Sequence, residues 1–440
     1  MIYHFLKRLY ALTFKSYFKV LKVTGLENIP SGPIIFVANH PSTLMDPIVI
    51  ATLLRKKIYF LAAAEFMGKG LVTKFMQSFL NMIPVYRPDT LPGEAKKNAD
   101  VFFKCFEHLG NDGAILIFPE GSSKTQRKLR PIKTGAVRIA LGAQKDNGKM
   151  VNIVPIGLNY SNPHQFRSEC FVSVGKPINV ESEELKDCED DNLAIKFTEL
   201  VESKLRENVI HLEDESVFEL FEKIKKIVLH EQQNMEGKTP SQKSQFALGQ
   251  HIQDALTYFS NTKPEEVQKL NEKLDAYIER VEFYNVTDAS ISKGNPKVTW
   301  GDYLKILLGL PFYLLGMACN ALPYYLTTLA FRKMKVGHQF VGSIILNIGL
   351  ILFLLWYVVV GVATANLFNE WWLGIVAVLI MYLSGKFTLR YIPLINFWKQ
   401  QGNWSRVLKR DRNIFESLKA DRAAIIDKIM AYHKQYDEKQ

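Results

Sequence analysis

Short apolar runs, each closed by turn-forming residues, punctuate the first part of the chain. They fall at residues 34–38, 58–62, 83–86, 114–118, 151–159 and 170–174, with the lengths and branched side chains of buried strands. Between most of them lie stretches of helical spacing, near 47–54, 66–79, 93–109 and 132–144. Such alternation predicts an α/β fold, a sheet covered by helices. From about residue 190 the pattern changes. Residues 192–209, 215–231, 241–261 and 264–284 are charged and helix-periodic, broken at Gly237-Lys238-Thr239-Pro240, and predict an antiparallel helical insert.

The remainder turns apolar. Residues 340–364 carry no charge and, as a helix, exceed a hydrocarbon core of about 30 Å. A second span is predicted at 367–387, with Trp371-Trp372 suited to an interface and Lys386 near its end. Residues 303–331 are apolar but interrupted by Pro311, Asn320 and Pro323, which predicts a re-entrant hairpin returning to the side it entered from. Arg332, Lys333 and Lys335 flank one side of the two spans, and Lys386, Arg390 and Lys399 the other. The link at 366–370 has neither Lys nor Arg, so the basic flanks are expected in the cytoplasm, together with the catalytic domain of a multi-pass membrane protein. Residues 401–440 form a charged helical tail on the same side. Residues 1–22 mix aromatic and aliphatic side chains with Lys7, Arg8, Lys15, Lys19 and Lys22 and have no acid. That is too charged to span and suits a helix in the lipid interface, with packing on the soluble domain as the alternative. The units expected are therefore 1–22, 23–190, 191–300, 301–400 and 401–440.

Composition adds little to this pattern and excludes some classes. The formal charge of +11 over 440 residues fits work against an anionic lipid surface. No nucleic-acid-binding motif accompanies it. Cys105, Cys170, Cys188 and Cys319 are widely spaced without a C-x-x-C pair, so neither a zinc site nor a disulfide framework is expected. There is no internal repeat, low-complexity tract or cleavable signal peptide.

Candidate chemistry concentrates at two strand ends. The first run passes into Asn39-His40-Pro41-Ser42-Thr43-Leu44-Met45-Asp46, and the run at 114–118 into Phe118-Pro119-Glu120-Gly121. Strand-to-helix turns are a usual place for α/β active sites. An ordinary imidazole at neutral pH is largely free to accept a proton, and a carboxylate on its other nitrogen orients it and stabilises the imidazolium. No G-x-S-x-G elbow or neighbouring nucleophile accompanies the pair, which points to a base acting on a hydroxyl of the substrate. A capped loop with a hydrogen-bonded His is the plainer alternative. His211, His230 and His251 in the helical insert are assigned no chemistry.

Four motifs in order resemble the membrane glycerolipid acyltransferases: Asn39-His40 through Asp46, Ile83-Pro84-Val85-Tyr86-Arg87, Phe118-Pro119-Glu120-Gly121, and Ile153-Val154-Pro155-Ile156-Gly157. The similarity covers roughly residues 21–180. Five residues separate His40 from Asp46, where the commoner family pattern has four; this resembles the branch containing the glycerol-3-phosphate and dihydroxyacetone-phosphate acyltransferases. The resemblance implies a mixed sheet covered by helices and a fatty acyl transfer from acyl-CoA or acyl carrier protein. The acceptor would be glycerol 3-phosphate, with dihydroxyacetone phosphate as a second acceptor. Lysophosphatidate is the alternative acceptor, and an inactive membrane scaffold the alternative of another class. In this reading His40 is the base and Asp46 its partner. Arg87, Glu120, Gly121, Ser122 and Lys133 form the substrate site. Arg87 also fits an ordinary surface arginine, and Glu120 a purely structural carboxylate. Basic residues from Lys124 to Lys145 would draw in anionic substrates or simply form a solvated face. A thioester donor calls for no metal or organic cofactor.

Overall fold

The computed structural model describes residues 2–67, 70–87, 90–186, 190–293, 299–334 and 337–439. Lys335 and Cys188 lie outside them. The chain divides into two compact units, 1–211 with 333–347, and 212–332 with 348–440.

The first unit is built on a seven-stranded sheet. Its strands are β1 (Val20–Thr24), β2 (Ile34–Ala38), β3 (Ile58–Ala63), β4 (Met82–Val85), β5 (Ala114–Ile117), β6 (Asn152–Tyr160) and β7 (Glu169–Val174). They lie in the order β1-β7-β6-β2-β5-β3-β4, and all pair in parallel except β6 with β7. Continuous apolar strands are expected where both faces are covered. Ile34, Phe36 and Ala38 feed one core, Ile35 and Val37 the other. Helices Asn98–Gly110, Gly135–Asn147 and Asp190–Arg206 cover one face.

Sequence reasoning missed β1. Its five residues include Lys22 and Thr24, and it pairs only with β7 at the sheet edge, so it carries no strong apolar signal. The N-terminal helix, Ile2–Tyr17, takes the alternative of packing on the domain. Phe14 and Tyr17 are buried in the second core with Phe18, while Ile2, Phe5 and Leu12 stay exposed on its outer side.

The second unit holds the helical insert, Phe218–Glu236, Gln242–Thr262 and Pro264–Phe283, joined by the C-terminal helix Arg412–Asp437. Among the described residues three helices are long and apolar enough to cross a membrane, within Trp300–Lys333, Val341–Phe368 and Trp371–Arg410; the first turns of the second, up to Asn347, belong to the first unit. The last two form a hairpin that turns at Asn369 and is close-packed where Gly361 meets Gly374. Residues 303–331, expected to form a re-entrant hairpin, lie within a single helix that contains Pro311 and Pro323. Its contacts explain how a proline is accommodated. Pro323 has no N–H for the carbonyl of Cys319, and the Trp356 indole donates to that carbonyl at 2.8 Å. Asn320, beside it, accepts from the Tyr357 hydroxyl at 2.7 Å and donates to the Met381 carbonyl at 3.2 Å.

Candidate active site

Register brings the two motifs together. Val37 of β2 pairs with Ile117 of β5, and His40 and Glu120 each stand three residues beyond that pair. They leave the sheet side by side at the carboxyl ends of neighbouring parallel strands. Glu120 Oε1 accepts from the His40 backbone N–H at 2.8 Å, and the His40 ring stacks on Phe118 with centroids 3.9 Å apart. Asn39 extends β2 sideways: its side chain accepts from Leu158 N–H at 2.7 Å and donates to Leu158 C=O at 3.0 Å.

The five-residue spacing is absorbed by a turn in which Thr43 takes a left-handed φ of 37°. The helix Met45–Leu53 follows at once and aims Asp46 back at His40, Nδ1 to Oδ2 2.8 Å. Asp46 is fully buried and also accepts from Ser42 N–H at 2.7 Å and the Tyr160 hydroxyl at 2.9 Å. Burial pushes its carboxyl up from the ordinary value, against the opposing pull of His40, Ser42 and Tyr160. No arginine or lysine reaches it among the described residues, so His40 alone is placed to compensate its charge. His40 Nε2 makes no hydrogen bond among the described residues and is available to take a proton.

The remaining predicted residues fall into two roles. Glu120 is almost wholly buried, and both its oxygens are occupied, one by His40 N–H and the other by Arg130 Nε at 2.8 Å. It thus supports the backbone of His40 while also lining the cleft. Ser122 is likewise held, its Oγ accepting from Arg130 Nη1 at 2.6 Å and its carbonyl from Nη2. Arg87 donates to the Gly121 carbonyl at 2.7 Å and pairs with Glu65. This follows from register too, since Ala63 pairs with Val85 and each partner stands two residues further on. Gly121 has a φ of 76°, the left-handed region that glycine enters without cost. The Lys133 side chain lies over it, exposed, and its Nζ makes no hydrogen bond among the described residues. Lys133, with Arg87 beside the same glycine, is thus the cation best placed for an anionic group.

A cleft opens beside His40, lined by Asn39, Glu120, Lys124, Gln126, Leu129 and Ile210. Sequence reasoning passed over Tyr160, which ends β6, and undervalued Arg130, one basic residue in a run of many. It also missed Ser343, whose hydroxyl reaches the catalytic turn from three hundred residues downstream. No sequence-local signal marks any of the three.

Residues 20–159 match the family model described as Acyltransferase. The chain is 43% identical to glycerol-3-phosphate O-acyltransferase 1 of Saccharomyces cerevisiae over 84 residues, 19% of this chain and 11% of that protein. It is 28% identical to a chloroplastic 1-acyl-sn-glycerol-3-phosphate acyltransferase of Brassica napus over 140 residues, 31% and 38% of the two. The chain thus spans about a tenth of the length of the yeast relative. A crystal structure of the 1-acyl-sn-glycerophosphate acyltransferase of Thermotoga maritima aligns with a TM-score of 0.33 at 22% identity, over 47% of this chain and 79% of that one.

Proposed function

We propose that this chain, which carries an acyltransferase domain, moves a fatty acyl group from a thioester donor to a hydroxyl of glycerol 3-phosphate on the way to phosphatidic acid. One observation carries the reading: a buried Asp46, lacking any other cation, oriented on His40 at the mouth of a basic cleft. In this mechanism the acceptor hydroxyl gives its proton to His40 Nε2 as its oxygen attacks the thioester carbonyl. The C–S bond breaks, the acyl–oxygen ester forms, and the imidazolium returns the proton to the departing thiolate. A positioned base of this kind contributes roughly 10²–10⁴ in rate. Lys133 and Arg87 bind the acceptor phosphate, Arg87 as a fork once it exchanges Glu65 for the substrate. The donor is acyl-CoA or an acyl carrier protein, and no cofactor takes part.

Lysophosphatidate is the second reading, supported by the plant relatives. Transfer assays on the purified full chain with glycerol 3-phosphate, dihydroxyacetone phosphate and lysophosphatidate separate them. The proposal expects the highest kcat/KM with glycerol 3-phosphate. Preference for lysophosphatidate selects the alternative, and transfer to none of them favours an inactive scaffold.

The same reading sets the catalytic unit on the cytoplasmic face, with the Trp300–Lys333 helix re-entrant. Two observations support this. Residues 338–347 pack in one compact unit with 1–211, so the chain before this helix and the chain after it share a side. Along the hairpin, Asn320 sits near Tyr357 and Met381, roughly midway to the turn, whereas Gly309 meets Tyr391 and Thr327 meets Gly349, both nearer its open end. A helix bent near Pro323 that dips in and returns makes all three contacts. A membrane-impermeant thiol reagent on intact cells should label a cysteine placed at Asn369 and not one at Met334. Labelling at Met334 contradicts re-entry.

A further inference from the structure

We infer that the first turns of the Val341–Phe368 helix belong to the catalytic machinery, and that Ser343 is a positioning residue for the turn that aims Asp46 at His40. The inference rests on His40 as the base. It goes beyond the acyltransferase match, which ends at residue 159.

Ser343 is 2% exposed. Its Oγ donates to the Ser42 carbonyl at 2.8 Å, accepts from Met45 N–H at 2.9 Å, and meets Thr43 Oγ1 at 2.7 Å. A hydroxyl has one donor and two acceptor sites, and this one fills all three on a single turn. That turn contains Thr43 at positive φ, a conformation that persists only when its surroundings enforce it. The turn also holds the residue by which this motif exceeds the commoner spacing. Ser343 ties its two ends together one position before Asp46.

The seat extends along one helix face. Asn347, one turn on, accepts from the Tyr10 hydroxyl, and Leu346 is buried in the core beside the sheet. Gly342 comes so close to Pro163 that a Cβ there would lie 2.0 Å from its carbonyl oxygen. His338 packs edge-on to His164, with centroids 4.0 Å apart. The same helix then continues from Ile348 to Phe368, about 30 Å of apolar rise, enough for a hydrocarbon core. The helix whose first turns seat the His40–Asp46 turn is thus the same helix whose later residues are long and apolar enough to cross a membrane.

The test uses the full chain with Ser343→Ala, which removes the hydroxyl, and Ser343→Cys, which keeps the volume with a much weaker hydrogen-bonding group. Both should lower kcat about 10-fold or more, since small misplacements of catalytic groups are costly, while the KM for the acyl donor stays within about 2-fold. Amide exchange in the peptide covering 41–47 should quicken at least about 10-fold in both variants, with strand 34–38 unchanged. Wild-type kcat in the Ser343→Cys variant, with loss only in Ser343→Ala, would reduce the seat to packing. Unaltered exchange in both overturns the inference outright. Absence of acyl transfer in the wild type defeats the functional reading, and the exchange result still decides the seat.

A separate observation in the second unit carries another proposal: the geometry of His251, His433 and Asp437 points to a site for a divalent transition-metal cation, zinc above all. His251 comes from the helix Gln242–Thr262, and His433 and Asp437 stand one turn apart on Arg412–Asp437. Their ligand atoms converge. His251 Nε2 is 2.9 Å from His433 Nδ1 and 3.6 Å from Asp437 Oδ1, and His433 Nδ1 is 3.0 Å from Asp437 Oδ2. Ligands about 2.0–2.1 Å from a tetrahedral zinc are about 3.3 Å from each other, and with one ligand atom taken from each residue the three atoms here lie within 4.8 Å of one another. A proton on His433 Nδ1 serves only one of its two neighbours, whereas a cation serves all three. Two imidazoles and one carboxylate suit zinc, with water as the fourth ligand, better than calcium or magnesium. The ion would fasten the C-terminal helix to the insert and revises the expectation of no metal site.

Untagged full chain, loaded with zinc and dialysed, should retain one zinc per chain by elemental analysis and lose it in both His251→Ala and His433→Ala. Retention in both variants, or no stoichiometric zinc in the wild type, overturns the proposal.

Discussion

Each unit of this molecule contains a buried aspartate bonded to a histidine Nδ1 and a tyrosine hydroxyl. In the first unit Asp46 receives His40 at 2.8 Å and Tyr160 at 2.9 Å. In the second Asp288 receives His230 at 2.7 Å and Tyr277 at 2.7 Å. The trios are nearly the same to within tenths of an ångström, but their settings differ: His40 lines the cleft described above, whereas His230 stands in the helical insert. They differ also in a cation. Arg422 donates to Asp288 at 2.9 Å and also pairs with Glu231. Burial works against the Asp288 charge, but His230, Arg422 and Tyr277 outweigh it and hold the carboxyl below its ordinary value. Asp46 has no such arginine among the described residues, and burial carries its carboxyl upward. A compensated carboxylate locks helices together. An uncompensated one, at a strand end beside a cleft, holds its histidine by Nδ1 and leaves Nε2 unbonded among the described residues.

The comparison can be broken at several points. The steepest loss should follow His40→Ala, about 10³-fold in kcat, within the range expected of a general base, with the fold retained by circular dichroism. Arg422→Met should cost about 3–5 kcal/mol in urea unfolding of the second unit, because it removes the arginine that compensates the buried Asp288 and leaves only His230 and Tyr277 on it. The two aspartates should also respond oppositely. Asp288, with its pKa depressed on folding, contributes stability above its unfolded pKa that is lost as acidification passes its folded value. Asp46, with its pKa raised, prefers the proton when folded, so its contribution is fully present below the unfolded value and is lost as the pH rises through the folded value. At neutral pH Asp288→Asn should therefore destabilise its unit. Asp46→Asn should leave its own unit at least as stable while lowering kcat about 10²-fold. A fall in stability for both variants would remove the contrast. Arg87→Lys should raise the acceptor KM about 10-fold with the donor KM unchanged, because a point charge lacks the fork. The smallest effect belongs to His230→Ala, with acyl transfer within about 2-fold of wild type.

Much of the first unit was legible because a doubly covered parallel sheet writes itself as apolar runs between turns. All six expected strands lie within a residue of their observed bounds at each end, and the first, Ile34–Ala38, matches at both. The His40–Asp46 pair was legible from its position after that strand. What escaped was non-local. The pairing of Arg130 with Glu120, and the support Glu120 gives the His40 backbone, are not marked by anything in Pro119-Glu120-Gly121. The edge strand at Val20–Thr24 has too short a pattern to register. Two prolines read as a hairpin break were absorbed by one helix, because Trp356 serves the carbonyl that Pro323 leaves open. Ser343 was hidden in an apolar run whose obvious reading is a membrane span.

The central claim, that His40 and not merely its surroundings moves the acceptor proton, is tested most directly by chemical rescue. His40→Gly leaves a slot beside Phe118, against which the imidazole ring now stacks. Added imidazole should restore saturable acyl transfer to that variant from glycerol 3-phosphate and an acyl thioester, and have no effect on Asp46→Asn, where the ring is still present. A His40→Gly variant that retains activity within a few-fold of wild type before any imidazole is added would contradict the account.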